Sequence, residues 1–344
     1  MNLSAVCKSF SKRVVTRSGL LPILSRLGAR GAVILRYHSV QPDRGRYENS
    51  IGKGIIHSLQ AFREQMEILA RHYAPVTMDD LLGFVSEQKE IPPKSVAVTF
   101  DDGFADNYEF ALPVLAHAGI PASFYIAVGS IEAAFPPWYC RLRHAYAVTQ
   151  AQHWRDSVEG RVHELSEPDK RYAAFLTGSR RCAQLAGLRQ EDCLRLIEED
   201  LEVERLTSRD CPMMTWTQVR SLRSMGHIVG SHTVTHPNLA HVTTEALETE
   251  LKESKRQLEA RLGEPVVHFS YPSPILEPHY TEQSITATNQ AGYLTAVTCT
   301  PGPVRAGDNP LVLRRVSAPF ERDEFRWMLG RALLNPRASD RGEA

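Results

Sequence analysis

The chain has 344 residues, of which 42% are apolar and 23% are charged, as in ordinary globular proteins. Forty basic residues balance forty acidic ones, so nothing indicates a nucleic-acid binder, whose domains are usually basic. No apolar run approaches the roughly 20 residues of a membrane-spanning helix. A chain of this length can bury a large core and fits one or two domains.

The cysteines and the first thirty residues bear on cellular location. Six scattered cysteines without a CxxC pair predict free thiols in a reducing compartment, with a bridge between residues 140 and 211 as the open alternative. Residues 1–30 hold six basic residues, no acidic one and no signal-peptide core, so we expect a cytoplasmic protein. We predict that this segment forms a helix that is solvated or packed on the domain. The alternative is a basic amphipathic helix at the inner membrane surface.

The first predicted strand ends in polar residues. Residues 32–40 begin as an apolar run and continue through Arg36, Tyr37 and His38, as in a strand that feeds a site at its carboxyl end. Residues 41–56 read as a loop, and Ser58 is the predicted N-cap of the next helix. A short strand at residues 76–77 and a helix over residues 79–86 follow.

Two adjacent acids follow the next strand. The β-branched run SVAVTF at residues 95–100 predicts a buried strand, and Asp101, Asp102 and Gly103 come directly after it. Successive strand residues point to opposite faces, so neighbouring acids can share a site only where the backbone turns, which Gly103 permits. Two carboxylates so close together favour a cation beside them, although a solvated turn is the preferred explanation of this motif on its own.

The alternation continues and is then interrupted. A helix over residues 105–118, which Pro113 is expected to kink or shorten, leads to a strand over residues 122–128. Strand, helix and strand in succession predict parallel βαβ units. Residues 131–212 break this rhythm and are predicted to form a helical insertion on the rim of the domain. The insertion is either a lid or acceptor-binding element, or a subdomain without a direct role.

A second motif carries two histidines. A helix from Thr215 ends at Gly226, and a strand over residues 227–230 leads into SHTVTH, with His232 and His236 four residues apart. One helical turn or a compact loop can direct both imidazoles to one point. Two imidazoles and one carboxylate are the ligands of a catalytic zinc ion with an open position. The pair alone could equally be structural, but the two motifs together are far more specific.

The remaining chain resumes the alternation. We predict helices over residues 244–262, 281–291 and 321–334, and strands over residues 266–272, 294–298 and 311–316. Residues 31–335 are thus predicted to form one domain with the insertion, followed by a polar tail at residues 336–344.

The two motifs resemble those of a known family. TFDDG and SHTVTHPNL are similar to the first two motifs of the polysaccharide deacetylases, carbohydrate esterase family 4, over about residues 33–324. The resemblance implies an α/β fold, a distorted (β/α) barrel of about seven strands. It also implies that Asp102, His232 and His236 bind a divalent metal, expected to be zinc, and that Asp101 is the general base. The implied reaction releases acetate from an N-acetylated polysaccharide or lipid-linked glycan.

The third motif departs from the family pattern. Residues 270–274 read SYPSP, which resembles the YPYG motif of bacterial exopolysaccharide deacetylases, and Tyr271 and Pro272 are expected to contact substrate. Ser270 stands where the family's usual arginine contacts the catalytic acid. Only one of Arg314 and Arg315 can face the barrel from the last strand. We choose Arg315 as the replacement, because the family's related LPRI pattern ends on that arginine.

The family's general-acid histidine is absent as well. His38 ends the first strand on the same rim as Asp101 and His232, so we predict that His38 donates a proton to the leaving nitrogen. The alternative is that His38 only hydrogen-bonds the loop after the strand.

Two other function classes remain open. A non-catalytic carbohydrate-binding protein on the same fold is disfavoured, because the base and all three metal ligands are intact. A metal hydrolase of another amide or ester is the third class. The expected partner is an N-acetylated glycan.

Overall fold

The computed structural model describes residues 31–45, 47–133 and 135–334. The predicted basic segment 1–30 and polar tail 336–344 lie outside these described residues, so the division into these segments and one domain stays a prediction. Within the described ranges, no helix combines the length and the apolar character that crossing a membrane requires.

Strands and helices alternate along most of the described chain. The strands are β1 (Ala32–Tyr37), β2 (Ser39–Gln41), β3 (Ile56–Ser58), β4 (Ala74–Pro75), β5 (Ser95–Phe100), β6 (Ala122–Ile126), β7 (His153–Arg155), β8 (Val162–Glu164), β9 (Ile228–Ser231), β10 (His268–Ser270), β11 (Thr295–Val297) and β12 (Val316–Ser317). The α-helices are α1 (Leu59–His72), α2 (Met78–Val85), α3 (Leu112–Ala118), α4 (Trp138–Val148), α5 (Pro168–Ala183), α6 (Gly187–Asp200), α7 (Trp216–Ser224), α8 (Thr244–Leu262), α9 (Glu282–Gln290) and α10 (Arg322–Leu334).

Parallel strands form the central sheet. Their spatial order is β11-β10-β9-β6-β5-β1-β12, and β4 pairs with β5 outside this path. Leu313, shortly before β12, makes an isolated parallel bridge with Val297 of β11. The segment that ends in β12 therefore contacts both ends of the strand order and curls the sheet. The predicted distorted (β/α) barrel with seven parallel strands is confirmed.

The two faces of the strands bury different partners. Outward-facing residues such as Val33 and Val98 pack with apolar side chains of the surrounding helices. Interior residues such as Ile34 and Ala97 pack with Tyr125 inside the barrel. This alternation is the period-two pattern of a strand that is buried on both faces. It also means that every second residue at a strand end points into the barrel.

Tyr125 fills the barrel interior beside Gly230. A Cβ atom at position 230 would lie 2.6 Å from the Tyr125 ring and 2.9 Å from the carbonyl oxygen of His268. Only glycine therefore lets the tyrosine pack at this level, directly below the histidine motif.

The helix after β5 is continuous but irregular. It contains a π-helical stretch, Asn107–Ala111, which runs into α3. In a regular α-helix Pro113 would lack an N–H donor and would clash with the carbonyl one turn earlier. The wider π turn, in which the N–H of Leu112 donates to the carbonyl of Asn107, accommodates the proline. The helix then ends, as expected, at Gly119, whose φ is 65°.

The last strand is shorter than predicted. Pro310–Val312 form a 3₁₀ turn, and the side chain of Asn309 accepts a hydrogen bond from the N–H of Leu311 at 2.9 Å. Proline favours this turn because its fixed φ suits the first helical position. The predicted strand over residues 311–316 is therefore wrong in extent, and only Val316–Ser317 joins the sheet as β12.

The segment of residues 131–212 contains helices α4, α5 and α6 and the antiparallel hairpin β7–β8. The hairpin was not predicted, because its two strands have only three residues each. A separate hydrophobic core surrounds the fully buried Trp154. Arg141 of α4 donates to Glu198 of α6 at 2.9 and 2.7 Å, and this buried ion pair fixes the two helices together.

The five described cysteines are free thiols. The sulfur atoms of Cys182 and Cys193 in the insertion lie 3.8 Å apart, beyond the ~2.05 Å of a disulfide. The bridge that the sequence left open between residues 140 and 211 is therefore not formed in this structure.

We expect Leu258→Ala to lower the free energy of unfolding by about 2–5 kcal/mol, because it leaves a cavity in the core. Leu258 of α8 is fully buried, whereas Leu188 of α6 is 84% exposed. The matched control Leu188→Ala should change this free energy by less than about 0.5 kcal/mol. Urea unfolding followed by circular dichroism measures both, and equal losses would contradict this description of the core.

Candidate metal centre and active site

The site lies at the carboxyl ends of the central strands, where barrels gather their functional groups. Tyr37 of β1 pairs with Phe100 of β5, so His38 and Asp101 follow at the same level. The N–H of Asp101 donates to the carbonyl of Tyr37 at 3.1 Å. His232 directly follows β9, and its N–H donates to the last residue of β6 at 2.9 Å. The three side chains share the parity of the interior-facing strand residues.

Asp102 joins the same site because the backbone turns directly after β5. The φ angles of Asp102 and Gly103 are 77° and 90°, both in the left-handed region. Glycine adopts this region freely, whereas an aspartate there is strained. A continued strand would point Asp102 away from Asp101, but the turn brings its carboxylate to the two histidines.

The histidine motif forms a compact loop rather than a helical turn. Thr233 and His236 have φ angles of 69° and 57°, which a helix would not allow. The buried carboxylate of Glu250 on α8 holds the loop. It accepts hydrogen bonds from two backbone N–H groups and one hydroxyl of the loop, at 2.6–2.9 Å.

Asp102, His232 and His236 converge on one point. Oδ1 of Asp102 lies 3.6 Å from Nε2 of His232 and 3.4 Å from Nε2 of His236. One ligand atom of each residue lies within 4.8 Å of the others, and all three residues are buried. Ligands held ~2.0–2.2 Å from a common centre are spaced in this way. The spacing therefore fits a metal ion.

Hydrogen bonding leaves the inward-facing donor atoms available. Nδ1–H of His232 donates to the carbonyl of Ser270 at 2.7 Å, which leaves Nε2 as a lone-pair donor. Burial lowers the pKa of His232 and of His236, which favours the neutral form that binds metals. Oδ1 of Asp102 is buried and has no hydrogen-bond partner among the described residues.

The surroundings of Asp102 disfavour its ionised form. Burial, followed by the neighbouring Asp101, raises the pKa of Asp102 to about 8. A divalent cation at the convergence point would oppose both effects, since it stabilises the ionised carboxylate.

Arg315 holds the other acid, Asp101. Its two terminal nitrogens donate to the two carboxylate oxygens of Asp101, each at 2.7 Å. Arg315 is 1% exposed, and its other N–H groups donate to the carbonyl of Thr298 and the hydroxyls of Thr99 and Ser270. The hydroxyl of Ser270 contacts both partners, since it accepts from Arg315 at 2.9 Å and donates to Asp101 at 3.3 Å.

The two adjacent acids have opposite pKa shifts. Burial alone would raise the pKa of Asp101, but the Arg315 guanidinium, with a smaller effect from His232, holds it well below its usual range. Asp101 is therefore ionised at neutral pH, whereas the pKa of Asp102 is raised. Neighbouring acids whose pKa values are shifted in opposite directions are typical of functional sites.

His38 lies on the predicted rim with a partly exposed side chain. Its carbonyl accepts a hydrogen bond from the side-chain amide of Asn107 at 2.6 Å. Burial, followed by the charge of Arg36, lowers the pKa of His38 to about 3, and Asp101 only partly offsets this. This shift favours the neutral imidazole. Its part in catalysis stays a prediction.

The side chain of Tyr271 does not face the site. Its ring is buried in the main core, against Phe269 and Tyr280. Because Ser270 faces the interior, the next residue points outward. Pro272 is buried as well. The predicted substrate contact through Tyr271 does not fit this placement.

Two residues of the insertion reach the site and were not singled out from the sequence. Nε1–H of Trp138 donates to the carbonyl of His236 at 3.1 Å. The ring of Tyr139 lies 4.7 Å from the imidazole of His236, centroid to centroid. The local sequence Pro-Pro-Trp-Tyr marks the start of the insertion, but it has no pattern that indicates a metal site.

Sequence comparison finds related proteins. The family profile described as polysaccharide deacetylase matches residues 88–296. YxkH of Bacillus subtilis (strain 168) is 22% identical over 284 residues, which cover 82% of this chain and 70% of YxkH.

Solved structures share the fold. The Streptococcus pyogenes deacetylase PplD, solved in complex with acetate, superposes with a TM-score of 0.56 at 18% sequence identity. The alignment covers 86% of this chain and 96% of PplD. IcaB from Ammonifex degensii has a TM-score of 0.58 at 19% identity and covers 89% of this chain and 99% of IcaB. These identities establish the fold alone, but the family profile spans more than half of the chain. The chain therefore belongs to the polysaccharide deacetylase family, carbohydrate esterase family 4.

Proposed function

We propose that this chain removes N-acetyl groups from a polysaccharide or a lipid-linked glycan, with a bound zinc ion, and releases acetate. Family membership implies hydrolytic deacetylation of a glycan. The finer proposal is carried by one observation: three buried ligand atoms converge beside a carboxylate that a buried arginine keeps ionised. A protein that only binds carbohydrate has no need of this arrangement.

Asp102, His232 and His236 would hold the ion. Two imidazole nitrogens and one carboxylate oxygen are the donor set of catalytic zinc sites that keep an open position. A bound zinc ion would polarise the acetyl carbonyl and acidify a water molecule. The PplD structure, solved with acetate, supports acetate as the released product.

Asp101 would take the proton of the attacking water. A general base must be ionised and correctly oriented, and the paired hydrogen bonds from Arg315 supply both conditions. An ionised carboxylate offers about four lone-pair sites, so two bonds to the arginine leave room for a proton. Arg315 is thus a positioning residue that acts through Asp101.

His38 would return a proton to the leaving nitrogen, which would otherwise depart as an unstable anion. Burial lowers the pKa of His38, which favours the neutral imidazole. The proton that His38 delivers would then come from the attacking water by way of Asp101. This route balances the products, which are acetic acid, ionised to acetate, and a free amine.

Acetate release tests this function. The purified, zinc-loaded chain is incubated with defined N-acetylated oligosaccharides, and acetate and free amine are measured. We expect equal amounts of both products. Hydrolysis of another amide or ester, with no acetate from any glycan, would contradict the proposal.

We expect Asp101→Asn to reduce turnover by about 10²- to 10⁴-fold while zinc stays bound, because the base is not a ligand. Asp102→Ala should lose both turnover and metal. Zinc content after dialysis and acetate release are the two measurements. Equal zinc loss in both variants would contradict this division of roles.

His38→Ala should also reduce turnover by about 10²- to 10⁴-fold with zinc retained, since no group then protonates the amine. His117→Ala is the matched control, because that histidine is exposed in the last turn of α3. Acetate release and zinc content are again measured. Near-normal turnover in His38→Ala would remove His38 from the mechanism.

Arg315→Gln should move the acid limb of the pH–rate profile upward by about 1–3 pH units. The guanidinium lowers the pKa of Asp101, so its removal raises that pKa, and the base becomes protonated and inactive at higher pH than in wild type. Arg314→Gln is the control, because Arg314 is partly exposed. The acid limb of the pH–rate profile of this variant should not move. An unshifted limb in Arg315→Gln would show that Arg315 does not control the base.

A further inference from the structure

We propose that Tyr139, which the insertion supplies, is a positioning residue of the metal centre: its hydroxyl donates a hydrogen bond to the Asp102 carboxylate in the metal-bound state, and its ring supports His236. The inference rests on the proposed function, since it assumes that Asp102 and His236 bind a metal ion. It assigns the insertion a part in building the site.

The first turn of α4 packs directly on the metal-binding loop. The rings of Tyr139 and His236 lie 4.7 Å apart at an interplanar angle of 53°. The preceding residue, Trp138, donates its indole N–H to the carbonyl of His236 at 3.1 Å. Neighbouring residues of the insertion therefore hold both the backbone and the imidazole of one ligand.

The hydroxyl of Tyr139 is buried and has no hydrogen-bond partner among the described residues, and the same holds for Oδ1 of Asp102. Both residues adjoin the imidazole of His236: the ring centroid of Tyr139 lies 4.7 Å from that of His236, and Oδ1 of Asp102 lies 3.4 Å from Nε2 of His236. A buried donor without an acceptor is unfavourable, so this hydroxyl needs a partner.

The metal-bound state supplies that partner. Each oxygen of an ionised carboxylate has two lone pairs, so Oδ1 of Asp102 can give one to a cation and accept a hydrogen bond with the other. Ligands of metal ions are commonly held by such outer hydrogen bonds, and their loss weakens metal binding. Asp102 has a strained backbone with a φ of 77°, so a hydrogen bond that holds its side chain in place is especially important there.

Two kinds of contact hold α4 in place. Within the insertion, Arg141, two residues after Tyr139, is 2% exposed and pairs with Glu198 at 2.7 Å and Glu191 at 2.6 Å on α6. At the end of α5, the carbonyl of Ala183 accepts from the N–H of Asn238 at 2.9 Å, two residues after His236. The insertion thus contacts the metal loop from two sides.

Tyr139→Phe tests the proposal, because it removes only the hydroxyl. Tyr146→Phe is the matched control: Tyr146 lies on the same helix, is also buried, and also has a hydroxyl without a partner among the described residues. We expect Tyr139→Phe to raise the zinc dissociation constant about 10- to 100-fold, measured by chelator competition on the full chain. Tyr146→Phe should leave it within about twofold.

A purely structural tyrosine would lower the melting temperature of the metal-free protein and leave zinc affinity unchanged. We expect the reverse: similar metal-free melting temperatures in wild type and Tyr139→Phe, with weaker zinc binding in the variant. Equal zinc affinity would overturn this inference, and so would lost turnover at saturating zinc with unchanged affinity, which would indicate contact with substrate instead. A wild-type chain that binds no zinc would overturn the proposed function itself.

Discussion

The buried ion pair between Asp101 and Arg315 is the interaction on which the site depends. Two charges have been removed from water, which is tolerated only when every remaining hydrogen-bonding group is satisfied, and Arg315 meets this condition. Removal of either partner would leave an unpaired buried charge, which would lower the free energy of unfolding by about 3–5 kcal/mol. Arg315 directly precedes β12, and its hydrogen bonds reach β5, β10 and the residue after β11. Closure of the barrel and orientation of Asp101 are therefore one structural feature.

Adjacent residues acquire different chemistry here because their surroundings differ. Asp101 continues the interior parity of β5 and meets a guanidinium, whereas Asp102 leaves the strand through a left-handed turn and meets two imidazoles. The first environment favours an ionised carboxylate. In the second, burial and the neighbouring Asp101 raise the pKa of the carboxylate.

Much of this arrangement follows from local sequence. His38, Asp101 and His232 each follow an apolar run, and parallel strands end at one edge, so their proximity could be predicted. The same parity, with Ser270 facing inward, would have excluded the side chain of Tyr271 from the site. The contribution of the insertion could not be predicted. It depends on contacts between residues far apart in sequence, such as Trp138 with His236 and Arg141 with Glu198, and no local pattern encodes such contacts.

The left-handed backbone at Asp102, Thr233 and His236 sets stability against function at the candidate metal centre. Such conformations cost about 1–3 kcal/mol each, and glycine would relieve each of them. Glycine in place of Asp102 or His236 would also remove one of the candidate ligands. A homologue under selection for folding alone should therefore lose these side chains. Such an inactive homologue is expected to have a higher melting temperature than the active protein.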